Sequence, residues 1–558
     1  MVPGRLRELL LLPPNNDLFM IFQHGRARRF CALLAASLLL GACAGLPPGA
    51  DFPKQPSVAF AHPEETPLGK QFAAAAQQHP GASAFRIINA GPDGFRMRSE
   101  MIDAAQRTLD LQYFIFRGDE TGRLLTDRLE RAADRGVRIR VLIDDGDTVA
   151  GDQQILRLLS HPSVELRIFN PAVYRGHWAV LRRLEFVLKK QRLDYRMHNK
   201  LLVMDGAALL VGGRNVGNQY FQVDPESQFA DDDVFAVGPI VPKLTQAFDE
   251  FWNSNLAIPA QALERHTREP IDAAVSNLKK EGSGETPSRE GKPGPIDYAA
   301  LVANGEPFQS ITSGKLPLVW APAKLVYDSP HKKDVIKGVV GGRLIVPQVE
   351  EAMRAVNSDM LIITPYLVPS KDEMQTLMEL RERQVRIRIL TNSLESSTEI
   401  SAQSGYDKSR VPMLKSGIEL YEIRSRLGNT RGSGQSRKVS RYGNFALHAK
   451  VYVFDRSRVF FGSMNLDQRS QHLNTEIGLI IDSPELAQQT AQRFEELVKP
   501  ENSYVVSLSP ASAAAKSRLV WRTVENGNTI EFVQEPGRSA WKRFKAKLLT
   551  LVPMDREL

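Results

Sequence analysis

Two histidines and two lysines, repeated in matching settings, are the side chains of this chain best suited to chemistry. His198-Asn199-Lys200 is followed by four residues and then Asp205, and His448-Ala449-Lys450 is followed by four residues and then Asp455. The copies lie 250 positions apart. Each histidine has an asparagine 17 residues downstream: Asn215 in Gly212-Gly213-Arg214-Asn215 and Asn465 in Gly462-Ser463-Met464-Asn465. One such motif alone is a weak signal. Two copies with the same distal Gly-x-x-Asn imply a duplicated domain whose halves each give one histidine and one lysine to a shared site.

The set suits a phosphodiester. Such a group is anionic and repels nucleophiles, and two lysines neutralise it without a metal. One neutral histidine can attack phosphorus and form a covalent intermediate. The other, protonated, can give its proton to the leaving oxygen and later deprotonate the acceptor. Two identical side chains hold opposite protonation states when their surroundings separate their pKa values. A carboxylate on the far imidazole nitrogen fixes the tautomer and stabilises the cation. Glu476 and Asp233 are the candidates for that role, from aligning the apolar runs that follow them. Asn215 and Asn465 can donate amide hydrogens to phosphoryl oxygens. Asp205 and Asp455 belong to the catalytic motif by spacing, but at strand ends they are expected to be structural. A metal site is disfavoured, because charged lysine is not a useful ligand and cysteine is absent from the region, so no metal or other cofactor is expected.

These residues need rigid elements beneath them. His198 to Asp205 and His448 to Asp455 are rich in β-branched, aromatic and apolar residues and end at an Asp turn, which reads as strand. In a strand, residues i and i+2 share a face, so each histidine projects with its lysine. Second strands (Ala208–Gly212 and Arg458–Gly462) deliver the Gly-x-x-Asn turns. Upstream, Thr108–Phe116 matches Asp359–Leu367, and Val137–Ile143 matches Val385–Leu390. Amphipathic helical stretches, Gly122–Arg135 and Lys371–Gln384, lie between the members of each pair. The alternation predicts an α/β fold with helices on sheet faces.

The paired His-x-Lys-x4-Asp with Gly-x-x-Asn behind it resembles the signature of the phospholipase D superfamily. Leu109-Asp-Leu-Gln-Tyr-Phe114, Ala132-Ala-Asp-Arg-Gly-Val-Arg138, Val211-Gly-Gly-Arg-Asn-Val-Gly-Asn-Gln-Tyr-Phe221 and Trp541-Lys-Arg-Phe544 are similar to bacterial cardiolipin synthases, the C type in particular. The resemblance spans about residues 85 to 553. It implies two tandem phospholipase D-like α-β-α sandwich lobes with mixed β-sheets and an active site at the lobe interface. It implies His198 as nucleophile and His448 as general acid. Lys200, Lys450, Asn215 and Asn465 carry over as phosphate-binding positions, and Glu476 as the partner of a catalytic histidine.

Near the N-terminus, Arg26-Ala-Arg28-Arg29 precedes an apolar run from Phe30 to Leu40 and then Leu40-Gly41-Ala42-Cys43. This reads as a secretory signal with a lipoprotein-type cleavage site, too short to span a membrane once mature. Residues 1–19 read as an over-extended start, with Met20 opening a signal of ordinary length. Lipidation at Cys43 predicts a bacterial envelope protein facing the periplasm, with Ala44 pointing to the outer rather than the inner membrane. Cys31 leaves with the signal, so the mature chain has one cysteine and no disulfide.

The 558 residues are 42% hydrophobic with net charge +8, an ordinary globular composition. Residues 1–42 hold five arginines against two acids, leaving the mature chain near +5. That excess suits an anionic partner without choosing between lipid and nucleic acid. The expected division is 1–42 signal, 43–84 a Pro/Ala-rich tether, 85–278 first lobe, 279–315 linker and 316–558 second lobe with a basic C-terminal segment. Residues 425–441 form a Gly/Ser/Arg loop before the second motif. Two basic apolar stretches, Trp178–Arg192 and Trp541–Val552, are candidates for a membrane interface or for packing on the core.

Together these readings predict a phosphatidyltransferase that attacks a phosphatidyl donor through His198 and passes the group to an alcohol, giving cardiolipin if the acceptor is phosphatidylglycerol. Phosphatidylglycerol and phosphatidylethanolamine are the candidate substrates, the membrane is the expected partner, and nucleic acid is not expected. The alternatives are hydrolysis to phosphatidic acid, a metal-independent phosphodiesterase or nuclease, and a non-enzymatic lipid-binding lipoprotein. Two intact catalytic sets disfavour the last.

Overall fold

The structure is a computed structural model that describes residues 47–146, 157–174, 179–223, 228–266, 307–427, 445–509 and 518–537. The signal, Cys43, Trp178, nearly all of the 425–441 loop, residues 267–306 and the Trp541–Val552 segment lie outside the described residues.

The first lobe contains β1 (Ser83–Ile88), β2 (Thr108–Tyr113), β3 (Arg138–Asp144), β4 (Val164–Phe169), β5 (Leu201–Met204), β6 (Ala208–Gly212), β7 (Gln228–Ala230), β8 (Asp233–Val237), β9 (Ala257–Pro259) and β10 (Val319–Ala321). All but β7 form one sheet in the order β10-β1-β8-β6-β5-β2-β3-β4-β9. The second lobe contains β11 (Ala323–Tyr327), β12 (Asp359–Ile363), β13 (Leu367–Val368), β14 (Arg386–Asn392), β15 (Glu419–Ile423), β16 (Phe445–Leu447), β17 (Val451–Phe454), β18 (Arg458–Gly462), β19 (Leu466–Asp467), β20 (Ile477–Ile481), β21 (Ser503–Leu508), β22 (Leu519–Glu525) and β23 (Asn528–Phe532). Its main sheet runs β11-β20-β18-β17-β12-β14-β15-β21-β22-β23. Eight strands of each sheet, β1-β8-β6-β5-β2-β3-β4-β9 and β11-β20-β18-β17-β12-β14-β15-β21, follow the same order, which is the duplication in three dimensions.

The parallel pairs β2–β3 and β12–β14 need crossovers. These are the helices Glu120–Asp134 and Lys371–Glu382, as their apolar spacing predicts. Both start where a side chain satisfies free amides. Asp119 accepts from Gly122 N, and Ser370 forms a capping box with Glu373. The strand expected to begin at each motif histidine begins three residues later, at Leu201 and Val451. The residues before it are freed to reach the other lobe.

The sheets meet face to face. Val211, Val234 and Ala236 of the first lobe share one buried cluster with Phe461, Ile477 and Leu479 of the second. Backbone pairing also crosses: β7 and β16 run parallel, with Leu447 opposite Ala230.

Two expectations about domain limits are corrected. Residues 47–82 are docked on the first lobe, where a tether was expected. Lys54 donates to Ala257 O at 2.9 Å, Asn253 Oδ1 accepts from Ser57 N at 3.1 Å, and Phe72 of the helix Pro67–Gln77 is buried in the core. Pro and Ala content suggested a tether because composition does not register these backbone contacts. Residues 307–321, assigned to the linker and second lobe, also belong with the first. Phe308 and Ile311 enter its core, and β10 pairs with β1. The second sheet begins at Ala323.

Candidate active site

Each motif is positioned by the end of a central strand. Asp144, closing β3, accepts from Met197 N at 2.7 Å, one residue before His198. Asn392, closing β14, accepts from Leu447 N at 2.8 Å and donates to Leu447 O at 3.0 Å, one residue before His448. The opposite lobe completes each clamp. His198 N donates to Thr475 O at 2.9 Å, and His448 N donates to Ala230 O at 2.7 Å.

The residue after each of those carbonyls is the carboxylate that holds the histidine. Glu476 Oε2 lies 2.9 Å from His198 Nδ1, and Asp231 Oδ2 lies 2.5 Å from His448 Nδ1. Each histidine is therefore oriented by the lobe that does not carry it. With Nδ1 engaged, Nε2 is the nitrogen of each ring left to react.

Asp233 is not the partner of a histidine, contrary to expectation. It is buried between Arg98 at 2.8 Å and Arg214 at 2.6 Å. Gly212 lies opposite Asp233 in the sheet while Gly462 lies opposite Gly478, so Asp233 corresponds to Gly478 and Asp231 to Glu476. The apolar alignment was displaced by two residues. In a strand that shift preserves which side chains face which way, so alternation cannot detect it.

The carboxylates have distinct supports. Ser463 Oγ and Ser470 Oγ donate to Glu476 at 2.5 and 2.8 Å. Asp232 N donates to Asp231 Oδ1 at 2.8 Å. Gly213 occupies the place of Ser463 in the first lobe, and a Cβ there would meet Asp231 Oδ1 at 2.2 Å. Aromatic rings wall the histidines: Phe114 stands edge-on to His198 at 5.2 Å, and Phe229 stacks on His448 at 5.4 Å. Ser463, Ser470 and these rings carry no motif signal. The Asp231-Asp232-Asp233 triplet was the available hint to Asp231.

Lys200 and Lys450 fold back to the carbonyls of His198 and His448, and Lys450 Nζ is 3.2 Å from His448 Nδ1. Each lysine acts electrostatically on the histidine of the other lobe, which makes one site of the two motifs. Burial, then the lysines, hold His198 well below the usual histidine range, and burial and Lys450 bring His448 down to about 3 against the pull of Asp231. Lys450 is lowered to about 8 by burial. Asp231 resists burial because His448 and Lys450 face it and stays below its ordinary value, whereas Glu476 is raised by burial. Burial and the lysines thus both disfavour the charged imidazole. An anion bound between the lysines would act against the second of these causes, their charge, and so favour protonation.

Among the described residues, Asn215 Nδ2 and Asn465 Oδ1 are buried with no hydrogen-bond partner. Amide orientation is an assignment, so each asparagine has one unspent polar end for a ligand oxygen. Asp205 and Asp455 lie elsewhere, although the motif grouped them with the catalytic residues. Asp205 accepts from the backbone amides of Gln106, Arg107 and Thr108, and Asp455 from those of Asn357, Ser358 and Asp359. They fasten the starts of β2 and β12.

The repeated sheet order and the interlobe site define a duplicated phospholipase D-like protein. A family model described as "Cardiolipin synthase, PLD-like domain" matches residues 99–252 and 349–498, one motif in each. Cardiolipin synthase C of Escherichia coli (strain K12) is 33% identical over 483 residues, covering 86% of this chain and 97% of that protein. The major cardiolipin synthase ClsA of Bacillus subtilis (strain 168) is 26% identical over 413 residues, 74% of this chain and 68% of that protein. Among solved structures, the phosphatidylserine synthase of Haemophilus influenzae Rd KW20 is similar at a TM-score of 0.49 and 14% identity, covering 78% and 92% of the two chains. The chain belongs to the phospholipase D-like cardiolipin synthase family.

Proposed function

We propose that this protein is a phosphatidyltransferase of phospholipid metabolism that makes cardiolipin. The observation that carries the reading is the exchange of carboxylates between lobes, which presents two histidine Nε2 atoms and two lysines to one buried site. In the first step His198 Nε2 attacks the phosphorus of a phosphatidyl donor. The P–N bond forms, the P–O bond to the headgroup breaks, and His448, protonated once the anion is bound, gives its proton to the departing alkoxide. In the second, His448 takes the proton of an acceptor alcohol, whose oxygen attacks phosphorus while the P–N bond breaks. With phosphatidylglycerol as donor and acceptor the products are cardiolipin and glycerol. Glu476 has a raised pKa beside a neutral His198, which suits a nucleophile, and ionised Asp231 supports a cationic His448.

The test is incubation of purified enzyme with phosphatidylglycerol and phosphatidylethanolamine, separately and mixed, with products resolved by mass. Cardiolipin that disappears in His198→Ala is expected. Phosphatidic acid alone would make the protein a hydrolase, and no lipid product would overturn the lipid reading.

The signal and Cys43 support an envelope lipoprotein held to the membrane by acyl chains. Among the described residues no helix is long and apolar enough to cross a membrane. Cys43→Ser is expected to abolish lipid labelling of the chain, and retained labelling would contradict the anchor.

A further inference from the structure

The helix Ala179–Leu188 is mounted inside out. A surface helix ordinarily turns its apolar stripe inward. Here the polar side holds the protein: Glu185 accepts from Val173 N and Tyr174 N at 2.8 Å each, and Arg182 donates to Asp145 O at 3.2 Å. At 100° per residue, Val187, Val180, Leu184, Leu188 and Leu181 form a stripe about 120° wide on the other side. That stripe faces outward, with Val180 70% and Val187 69% exposed.

A second apolar surface adjoins it from the other lobe. Lys333 donates to Gln191 O at 2.6 Å, and Tyr195 Oη donates to Pro330 O at 2.7 Å. The segment that follows exposes Ile336, Val339 and Val340, with Val339 at 70%. Nine of the thirteen large apolar side chains exposed among the described residues lie in this helix and this segment. Such concentration marks an interaction site.

The surroundings are cationic. Residues 179–193 carry five Lys or Arg against Glu185 alone, and residues 333–343 carry three against Asp334 alone. Arg182, Arg192 and Lys333 are held by protein oxygens, and Arg183, Lys189, Lys337 and Arg343 are exposed. Exposed apolar side chains with exposed cations in the same segments match the interface of an anionic bilayer, where the first enter the acyl boundary and the second meet phosphates. Four residues separate Leu193, at the end of this region, from His198, so their Cα atoms are at most about 18 Å apart.

We propose that Val180–Leu188 together with Ile336–Val340 forms the docking face by which the protein sits on an anionic phospholipid bilayer, independently of any lipid on Cys43. The proposal builds on the lipid-enzyme reading, since it places the membrane beside the segment that carries His198. It also explains why both lobes contribute: the bilayer is met at the seam that holds the site.

The test uses the Cys43→Ser chain, which cannot be acylated, with Leu184→Ser/Val187→Ser/Val340→Ser added as a variant. Co-sedimentation is measured with phosphatidylglycerol and with phosphatidylcholine vesicles, and turnover with short-chain phosphatidylglycerol below its micelle concentration. Because the three side chains are exposed, the thermal midpoint is expected to stay unchanged. Binding to phosphatidylglycerol vesicles is expected to fall about tenfold or more while turnover of dispersed lipid persists. Vesicle binding equal to that of the parent would overturn the proposal. So would light scattering that shows the parent as a dimer and the variant as a monomer, because the face would then be an interface between copies. Loss of vesicle binding without turnover of any lipid by the parent would sustain the docking face and overturn the enzymatic reading alone.

Discussion

Asp231 and Asp233 stand two residues apart and serve different ends. Asp231 fixes the tautomer of His448, and Asp233 neutralises two buried arginines. Asp231→Asn is therefore expected to lower kcat about a hundredfold to ten-thousandfold with little change in melting temperature. Asp233→Asn is expected to cost about 3–5 kcal/mol of stability, because it leaves buried guanidinium charge uncompensated. Thermal melts and single-turnover rates on both variants separate the roles. The lysines give a pH signature. Burial lowers both lysines, Lys200 well below its ordinary value and Lys450 to about 8, so kcat/KM, which reports the free enzyme, should fall as pH rises to and through about 8. Lys450→Arg should move that limb upward. At this scale the sequence pointed to both histidines and both lysines through the duplicated motif, and to Glu476 through the apolar run that follows it and the family resemblance. It did not point to Asp231, because its flanking alternation fits equally well two residues away.

At the scale of elements, strand ends govern the site. The turn after β6 brings Gly213 against Asp231, and the turn after β18 brings Ser463 against Glu476. The two positions are equivalent and solve opposite problems, one making room for a short carboxylate and the other donating to a long one. Gly213→Ala is expected to push the Asp231 carboxylate off His448 and reduce kcat by a factor like that of Asp231→Asn. A kcat within twofold of the parent would contradict that packing. The repeated strands and crossover helices were legible because their apolar periods differ. The backbone bonds that Arg196 and His198, and His448 and Ala449, make across lobes were not, because residues that pair outside their own sheet look like ordinary strand. The inverted helix Ala179–Leu188 was also hidden, since amphipathic spacing shows that a face exists and not which way it turns.

For the whole molecule, the exchange of carboxylates makes the lobes interdependent. Glu476 serves His198 and Asp231 serves His448, and the interlobe core buries Val234 with Leu479. Fold class and duplication could be read from sequence, because a repeated sheet must repeat its pattern. The lobe limits were misplaced, because docking of residues 47–82 and addition of β10 to the first sheet depend on tertiary contacts. The central claim is that one site built by both lobes transfers a phosphatidyl group through His198. The measurement that meets it most directly is mass mapping of the enzyme after rapid mixing with phosphatidylglycerol and quenching in neutral denaturant, where a phosphorus–nitrogen bond survives. The account predicts a phosphatidyl adduct on the peptide that contains His198, and none in His198→Ala. An adduct on His448, or turnover without any adduct, would contradict it.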